Sequence, residues 1–135
     1  MSIKLETDAI RTIALFESMT KVHARDCLIT DNCVYFLVDQ PKVGLAIGKS
    51  GAVIKNVKRA LNKNVKIFGY ADSPEGMIKG MIQDPKAVIM DNGSMVVSIS
   101  PQDRVTVIGR NGENIKAIRE IMKRHFSIEN LKLRM

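Results

Sequence analysis

Tryptophan is absent from this chain of 135 residues, and aromatic residues make up only 4% of it. They are Phe16, Tyr35, Phe36, Phe68, Tyr70 and Phe126. A protein that stacks nucleobases on an open aromatic sheet needs more rings than this. Cysteine is scarcer still. Cys27 and Cys33 are not spaced as Cys-x-x-Cys, and only His23 and His125 could join them as soft metal ligands. The expectation is therefore two reduced, half-buried thiols on the arms of one hairpin, with no metal and no cofactor. Long apolar runs are also missing, and none approaches the ~20 residues that cross a bilayer. Met1 to Asp8 lacks the basic-then-apolar order of a secretory signal. A cytoplasmic protein without a membrane partner is expected on both counts.

What the chain does carry is positive charge. The net charge is +7 and the pI about 9.6. This suits a polyanionic partner without naming it. The excess is uneven. Residues 1–71 hold 11 Lys and Arg against 6 Asp and Glu, a balance of +5, and residues 72–135 hold 10 against 8, a balance of +2. From Lys49 to Lys66 there are bases at 49, 55, 58, 59, 63 and 66 and no acid.

Hydrophobic periodicity orders the chain. Ala9, Ile10, Ile13, Ala14 and Phe16 predict a helix that starts near Thr7 or Asp8 and ends between Thr20 and His23. Residues 26–30 and 33–38, around Asp31-Asn32, predict a hairpin. A short helix from Lys42 to Ile47 meets Gly48-Lys49-Ser50-Gly51. A longer one follows to about Asn62, with Ile54, Val57 and Leu61 inward. Residues 65–68 read as a strand and Gly69 to Asp72 as a break. Ser73 and Pro74 then open a second helix with Met77, Ile78, Met81 and Ile82 inward. A second hairpin turns at Asp91-Asn92-Gly93. A short helix to Ile108 meets Gly109-Arg110-Asn111-Gly112, and a long helix buries Ile115, Ile118 and Met122. The last strand lies within 126–133.

Each half thus reads helix, strand, strand, helix, Gly-x-x-Gly, helix, strand. Ile47, Gly48, Gly51, Ile54 and Lys55 recur as Ile108, Gly109, Gly112, Ile115 and Lys116, all 61 positions later. Lys49/Arg110 and Lys58/Arg119 keep their charge. A Gly-x-x-Gly is weak evidence by itself. A duplicate in the same context is a repeat.

The order of elements and the Ile-Gly-x-x-Gly loops resemble the K-homology (KH) fold of the second type. The tandem pair is similar to the archaeal NusA-like transcription factor family over almost the whole chain. The resemblance implies an α+β fold of two tandem type II KH domains, 1–71 and 72–135. In each, a three-stranded sheet would be covered by helices. It also implies single-stranded RNA as ligand, about four unpaired nucleotides per domain. A role in transcription termination or antitermination beside RNA polymerase is implied as well. A ribosome-assembly or RNA-processing role fits the same residues.

The residues themselves suit a phosphodiester chain. Glycines let a backbone approach closely, and a helix opening beyond them presents N–H groups to an anion. Lys49, Ser50, Arg110 and Asn111 fill the loops without an acid. Ile47, Ile54, Ile108 and Ile115 would floor a groove. Lys55, Lys58, Lys116 and Arg119 line its helix, and Lys66 lies on the flanking strand. By net charge, the first loop should contribute more than the second. A monomer is expected, with two sites acting by avidity.

Two other classes fit the sequence less well. Gly44 to Ser50 approaches a phosphate-binding P-loop, but it has three residues between glycines where four are needed, and no strand before it. With no other catalytic constellation, the chain is not expected to be an enzyme. A helix-turn-helix DNA-binding protein would leave the strands without a role.

Overall fold

The computed structural model describes the backbone of residues 3–134 and the side chains from Asp8 onward. The chain divides into two compact units between Tyr70 and Ala71. In the first, α1 (Ile3–Thr20) precedes β1 (Ala24–Ile29) and β2 (Cys33–Asp39), then α2 (Val43–Ile47), α3 (Ala52–Leu61) and β3 (Asn64–Tyr70). In the second, α4 (Pro74–Met81) precedes β4 (Ala87–Asp91) and β5 (Ser94–Ser98), then α5 (Arg104–Ile108), α6 (Glu113–Phe126) and β6 (Asn130–Arg134). Each unit has one three-stranded sheet, in the order β1-β2-β3 or β4-β5-β6. The hairpin pair is antiparallel and the last strand runs parallel to the middle one.

β2 is buried from Cys33 to Val38, as expected of a central strand rich in β-branched and aromatic residues. Phe16 of α1 is fully buried and stacks on Phe36, ring centroids 3.9 Å apart. Burial of a side chain this size contributes about 2–3 kcal/mol. Val57 of α3 and Ala46 of α2 close the same core, with Ile54 and Leu61 packed at its margin. The thiols of Cys27 and Cys33 are buried and form no disulfide. α1 stops at Thr20, whose hydroxyl donates to the Phe16 carbonyl at 2.8 Å and accepts from the Val22 amide at 3.1 Å.

In the second unit, the Ser73 hydroxyl accepts the Gly76 amide at 3.0 Å, and Pro74 opens α4. Met77, Ile78, Met81 and Ile82 are all buried. Asn92 and Gly93 both take positive φ, 42° and 81°, giving the two-residue turn that matches strand twist. Ile115, Ile118, Ile121 and Met122 of α6 are buried, as are Met95 and Val97 of β5.

Four expectations are corrected. α1 begins at Ile3, a turn upstream of Asp8, because nothing in the Lys4-Leu5-Glu6 stretch breaks a helix. Asp8 is therefore no cap, and the Thr7 side chain lies outside the described residues. Ile10 is 67% exposed and Ala14 is exposed, so the stripe on α1 is narrower than its apolar positions. Gly69 and Tyr70 belong to β3, since its pairing with β2 continues to Val38 and Asp39. The end of the exposed Gln40 side chain lies where a Cβ on Gly69 would sit, and it would have to move aside for a larger residue there. Finally, β6 runs from Asn130 to Arg134, one residue past the expected 126–133, and Phe126 ends α6.

Candidate nucleic-acid interface

Both Gly-x-x-Gly loops join a five-residue helix to a long one. Their backbones are nearly the same. φ and ψ are 80° and 168° at Gly48 against 77° and 175° at Gly109. They are 55° and 27° at Ser50 against 56° and 26° at Asn111. They are 75° and 17° at Gly51 against 72° and 13° at Gly112. Each loop closes with the same hydrogen bond, from the second glycine amide to the first glycine carbonyl, at 3.1 Å in both copies.

The two glycines of a loop do different jobs. A Cβ on Gly48 would lie 2.5 Å from Val53 Cγ2 and 2.8 Å from the Val53 amide nitrogen. On Gly109 it would lie 2.6 Å from Asn114 Cβ. The first glycine is thus wedged against the helix that follows. The second glycine has room, but its φ is left-handed, a conformation glycine takes without strain. Lys55 Cε and Lys116 Cε pass 3.9 Å from the Cβ positions of Gly51 and Gly112. Each lysine therefore runs along its loop and holds its ammonium beside it.

No side chain caps α3 or α6 at the loop. The first amide of each helix, at Ala52 or Glu113, donates to the Lys49 or Arg110 carbonyl, and the later amides of the opening turn have no intrahelical acceptor. Lys49, Ser50, Arg110 and Asn111 are exposed. One acid stands close by: Glu113 opens α6, where α3 has Ala52.

Beside the second loop lies an open cleft of about 410 Å³, within the size range of ligand sites. Ile99, Ile108, Ile115 and Leu133 supply its apolar lining, and Arg104, Arg119 and Lys132 its charge. Of the expected residues, the structure brings Ile108, Ile115 and Arg119 together here. In the first unit Ile47 and Ile54 are half-buried, while Lys58 and Lys66 are exposed.

Sequence reasoning missed Ile99, Arg104, Lys132 and Leu133. Lys132 had a signal. Cys33 pairs with Asn64 and Ser94 with Asn130, so Asn64-Val65-Lys66-Ile67 corresponds to Asn130-Leu131-Lys132-Leu133. The offset has moved from 61 to 66, largely because α6 has 14 residues and α3 has 10. Lys132 is thus the counterpart of Lys66.

Lys63 of the first basic run, between α3 and β3, donates to the Thr30 carbonyl at the hairpin turn at 2.7 Å. Lys49, Lys55, Lys58 and Lys66 remain around the first site. Arg104, Arg110, Lys116, Arg119 and Lys132 surround the second.

The P-loop reading fails on geometry. Gly44 lies inside α2, where a P-loop needs the end of a strand. The helix pair of the first unit also differs from a DNA-binding helix-turn-helix, because it packs with a three-stranded sheet.

Comparison with known proteins now adds to the geometry. The family model of the KH domain matches residues 10–72. The probable transcription termination protein NusA of Halococcus morrhuae is 33% identical over 138 residues, covering 98% of this chain and 99% of the relative. The protein of the same name from Methanocaldococcus jannaschii is 33% identical, covering 97% of this chain and 75% of the relative. The chain belongs to the archaeal NusA-like KH proteins. A solved structure, the crystal structure of APE1850, is similar to this chain with a TM-score of 0.77 and 31% identity, over 95% of this chain and 99% of that one. The KH match ends at residue 72, two residues past the end of the first unit. The second unit of this NusA-like chain has the same element order and loop conformation.

Proposed function

We propose that the chain is a non-enzymatic, single-stranded RNA-binding protein with two tandem KH domains of the second type, residues 1–71 and 72–135. The observation that carries this reading is the pair of loops with matching backbone angles, each flanked by a lysine on the following helix. The parallel last strand in both sheets supports the second type. The loops grip phosphates through Lys49, Ser50, Arg110 and Asn111 and through the helix-opening amides of α3 and α6. Gly48, Gly51, Gly109 and Gly112 permit the close approach.

Bases lie over Ile47 and Ile54, or over Ile108 and Ile115. Lys55, Lys58, Lys66, Lys116 and Arg119 contribute charge along the groove. The free edge of β3 near Ile67 offers backbone donors and acceptors to base edges. Each site is built within one unit, so the monomer is the binding species. Among the described residues, no helix is long and apolar enough to cross a membrane.

The relatives' name, probable transcription termination protein, supports extending the proposal to transcription termination; the proposal also includes antitermination, action beside RNA polymerase and a cytoplasmic location. Selection from a random single-stranded RNA pool, with duplex DNA as competitor, tests the RNA reading. Enrichment of unpaired RNA motifs is expected. Retention of the duplex DNA would overturn it in favour of a helix-turn-helix mode. Release of transcripts at a terminator by the matching polymerase, with and without the protein, tests the finer role.

A further inference from the structure

We infer that Asn114 is a positioning residue of the second RNA site: its buried side chain clamps α5 to α6 and so fixes how the helical walls of the cleft stand to each other. This deepens, and rests on, the single-stranded RNA reading above.

Among the described residues, only Thr20 and Asn114 are buried polar residues. Thr20 closes α1. Asn114 is 6% exposed and donates from Nδ2 to the Val107 carbonyl at 2.9 Å. That carbonyl lies in the last turn of α5, where no intrahelical donor is left. The bond therefore runs between the two helices that flank the loop. The same residue backs Gly109, whose Cβ position lies 2.6 Å from Asn114 Cβ. Asn114 thus holds α5 and the loop at once.

The first unit shows that the motif does not need an amide here in order to fold. At the 61-residue offset, Val53 stands for Asn114 and Ala46 for Val107, yet the loop backbones are nearly the same. Ala46 is fully buried, and Val53 has no donor to offer its carbonyl. What the amide adds is direction. Apolar contact is non-directional and tolerates a small slide of one helix on another, whereas a hydrogen bond weakens steeply as its angle closes. Arg104 and Ile108 of α5 line the cleft together with Ile115 and Arg119 of α6. A slide of α5 would carry the first pair away from the second. Asn114 is not among the lining residues and acts through them. Pre-setting a binding wall in this way acts mainly on dissociation. The first groove keeps the looser, apolar contact.

The test exchanges the two residues in the full chain. Asn114→Val copies the first unit and is measured with Lys49→Asp and Ser50→Asp, which leave the second loop to bind. Val53→Asn copies the second unit and is measured with Arg110→Asp and Asn111→Asp. The probe is a labelled copy of an RNA enriched by the pool selection, and anisotropy follows its dissociation into excess unlabelled RNA, at a temperature where the chain is folded. Asn114→Val should speed dissociation about three- to tenfold, with the salt slope unchanged because no phosphate contact is lost. Val53→Asn should slow dissociation from the first loop, a gain that no loss of stability produces. Without RNA, amide hydrogen exchange over residues 109–113 should quicken about tenfold in Asn114→Val while β5 and β6 keep their protection. Unchanged dissociation or unchanged loop exchange in Asn114→Val would overturn the inference. A changed salt slope would do the same, by making Asn114 a contact residue. If the pool selection enriches no RNA, the RNA reading falls, and the exchange measurement still decides the clamp.

Discussion

The wedge under the first glycine of each loop makes the two glycines unequal, and alanine substitution measures the inequality. Take Gly48→Ala. The new methyl would lie 2.5 Å from Val53 Cγ2, 2.8 Å from the Val53 nitrogen and 2.9 Å from Val53 Cβ. Two of those atoms are fixed to the helix backbone, so rotating the valine does not relieve the clash. The backbone at φ 80° and ψ 168° also belongs to a region reserved for glycine, with strain of about 1–3 kcal/mol. Overpacking adds about 1–3 kcal/mol more. Gly48→Ala is expected to destabilise the first unit by about 2–6 kcal/mol on these two grounds.

Gly51→Ala is the contrast. The nearest atoms are 3.8 and 3.9 Å away, which is ordinary contact. The cost is the left-handed φ alone, about 1–2 kcal/mol. The lost freedom of the unfolded chain offsets about 0.4–1 kcal/mol of it. A net loss near 1 kcal/mol is expected, with the fold retained. Urea titrations followed by circular dichroism compare the two variants in the same full-length chain, where the second unit is a common background. Equal losses for Gly48→Ala and Gly51→Ala, or a larger loss for Gly51→Ala, would refute the wedge. The same order should hold for Gly109 over Gly112, since Asn114 backs Gly109 in the same way.

Three further outcomes are expected. Replacing Lys49 and Ser50 with aspartates should leave the circular dichroism spectrum intact, because aspartate tolerates the left-handed angles of Ser50, and should weaken RNA binding about tenfold or more in anisotropy titrations. The same change at Arg110 and Asn111 should cost a comparable amount, and a negligible loss at either loop would remove that loop from the mechanism. Affinity should fall with salt with a slope of about −3 in log–log form for one site, reflecting four or so phosphate contacts at about 0.7 each; a flat dependence would contradict phosphate gripping. Asn114 donates to the Val107 carbonyl at 2.9 Å while buried, so Asn114→Ala should destabilise the second unit by about 1–3 kcal/mol. Asn114→Val copies Val53 and should cost less in thermal unfolding, and the reverse order would show that the hydrogen bond outweighs packing here.

Much of the fold was legible because local signals agreed. Ser73-Pro74, Asp91-Asn92-Gly93 and the two Gly-x-x-Gly loops each mark a boundary by backbone chemistry that depends on few neighbours. The stripe on α6 was legible for a related reason: its apolar residues recur at helical spacing and face one core. Tertiary pairing overrode the signal elsewhere. Gly69 looked like a breaker, yet β2 carries the strand through it. Ile10 looked like core, yet it stays 67% exposed among the described residues. The loops of the site could be read from residue types alone. Arg104 could not, because its counterpart Val43 is apolar and the repeat there offered no match. Lys132 was hidden by the longer α6, which shifts the offset between copies. Charge totals also count Lys63 of the first basic run, which donates to the Thr30 carbonyl at the hairpin turn.

The backing of Gly48 and Gly109 by Val53 and Asn114 bears finally on the speed of recognition. A loop already seated against its helix has no ordering step left when a ligand arrives, so its conformational entropy was lost during folding of the protein. Encounter is then limited by diffusion and by the attraction between a cationic surface and an anionic strand. Observed association rates should rise in proportion to RNA concentration without levelling off. Differences in lifetime, set in the grooves, would then decide which strand stays.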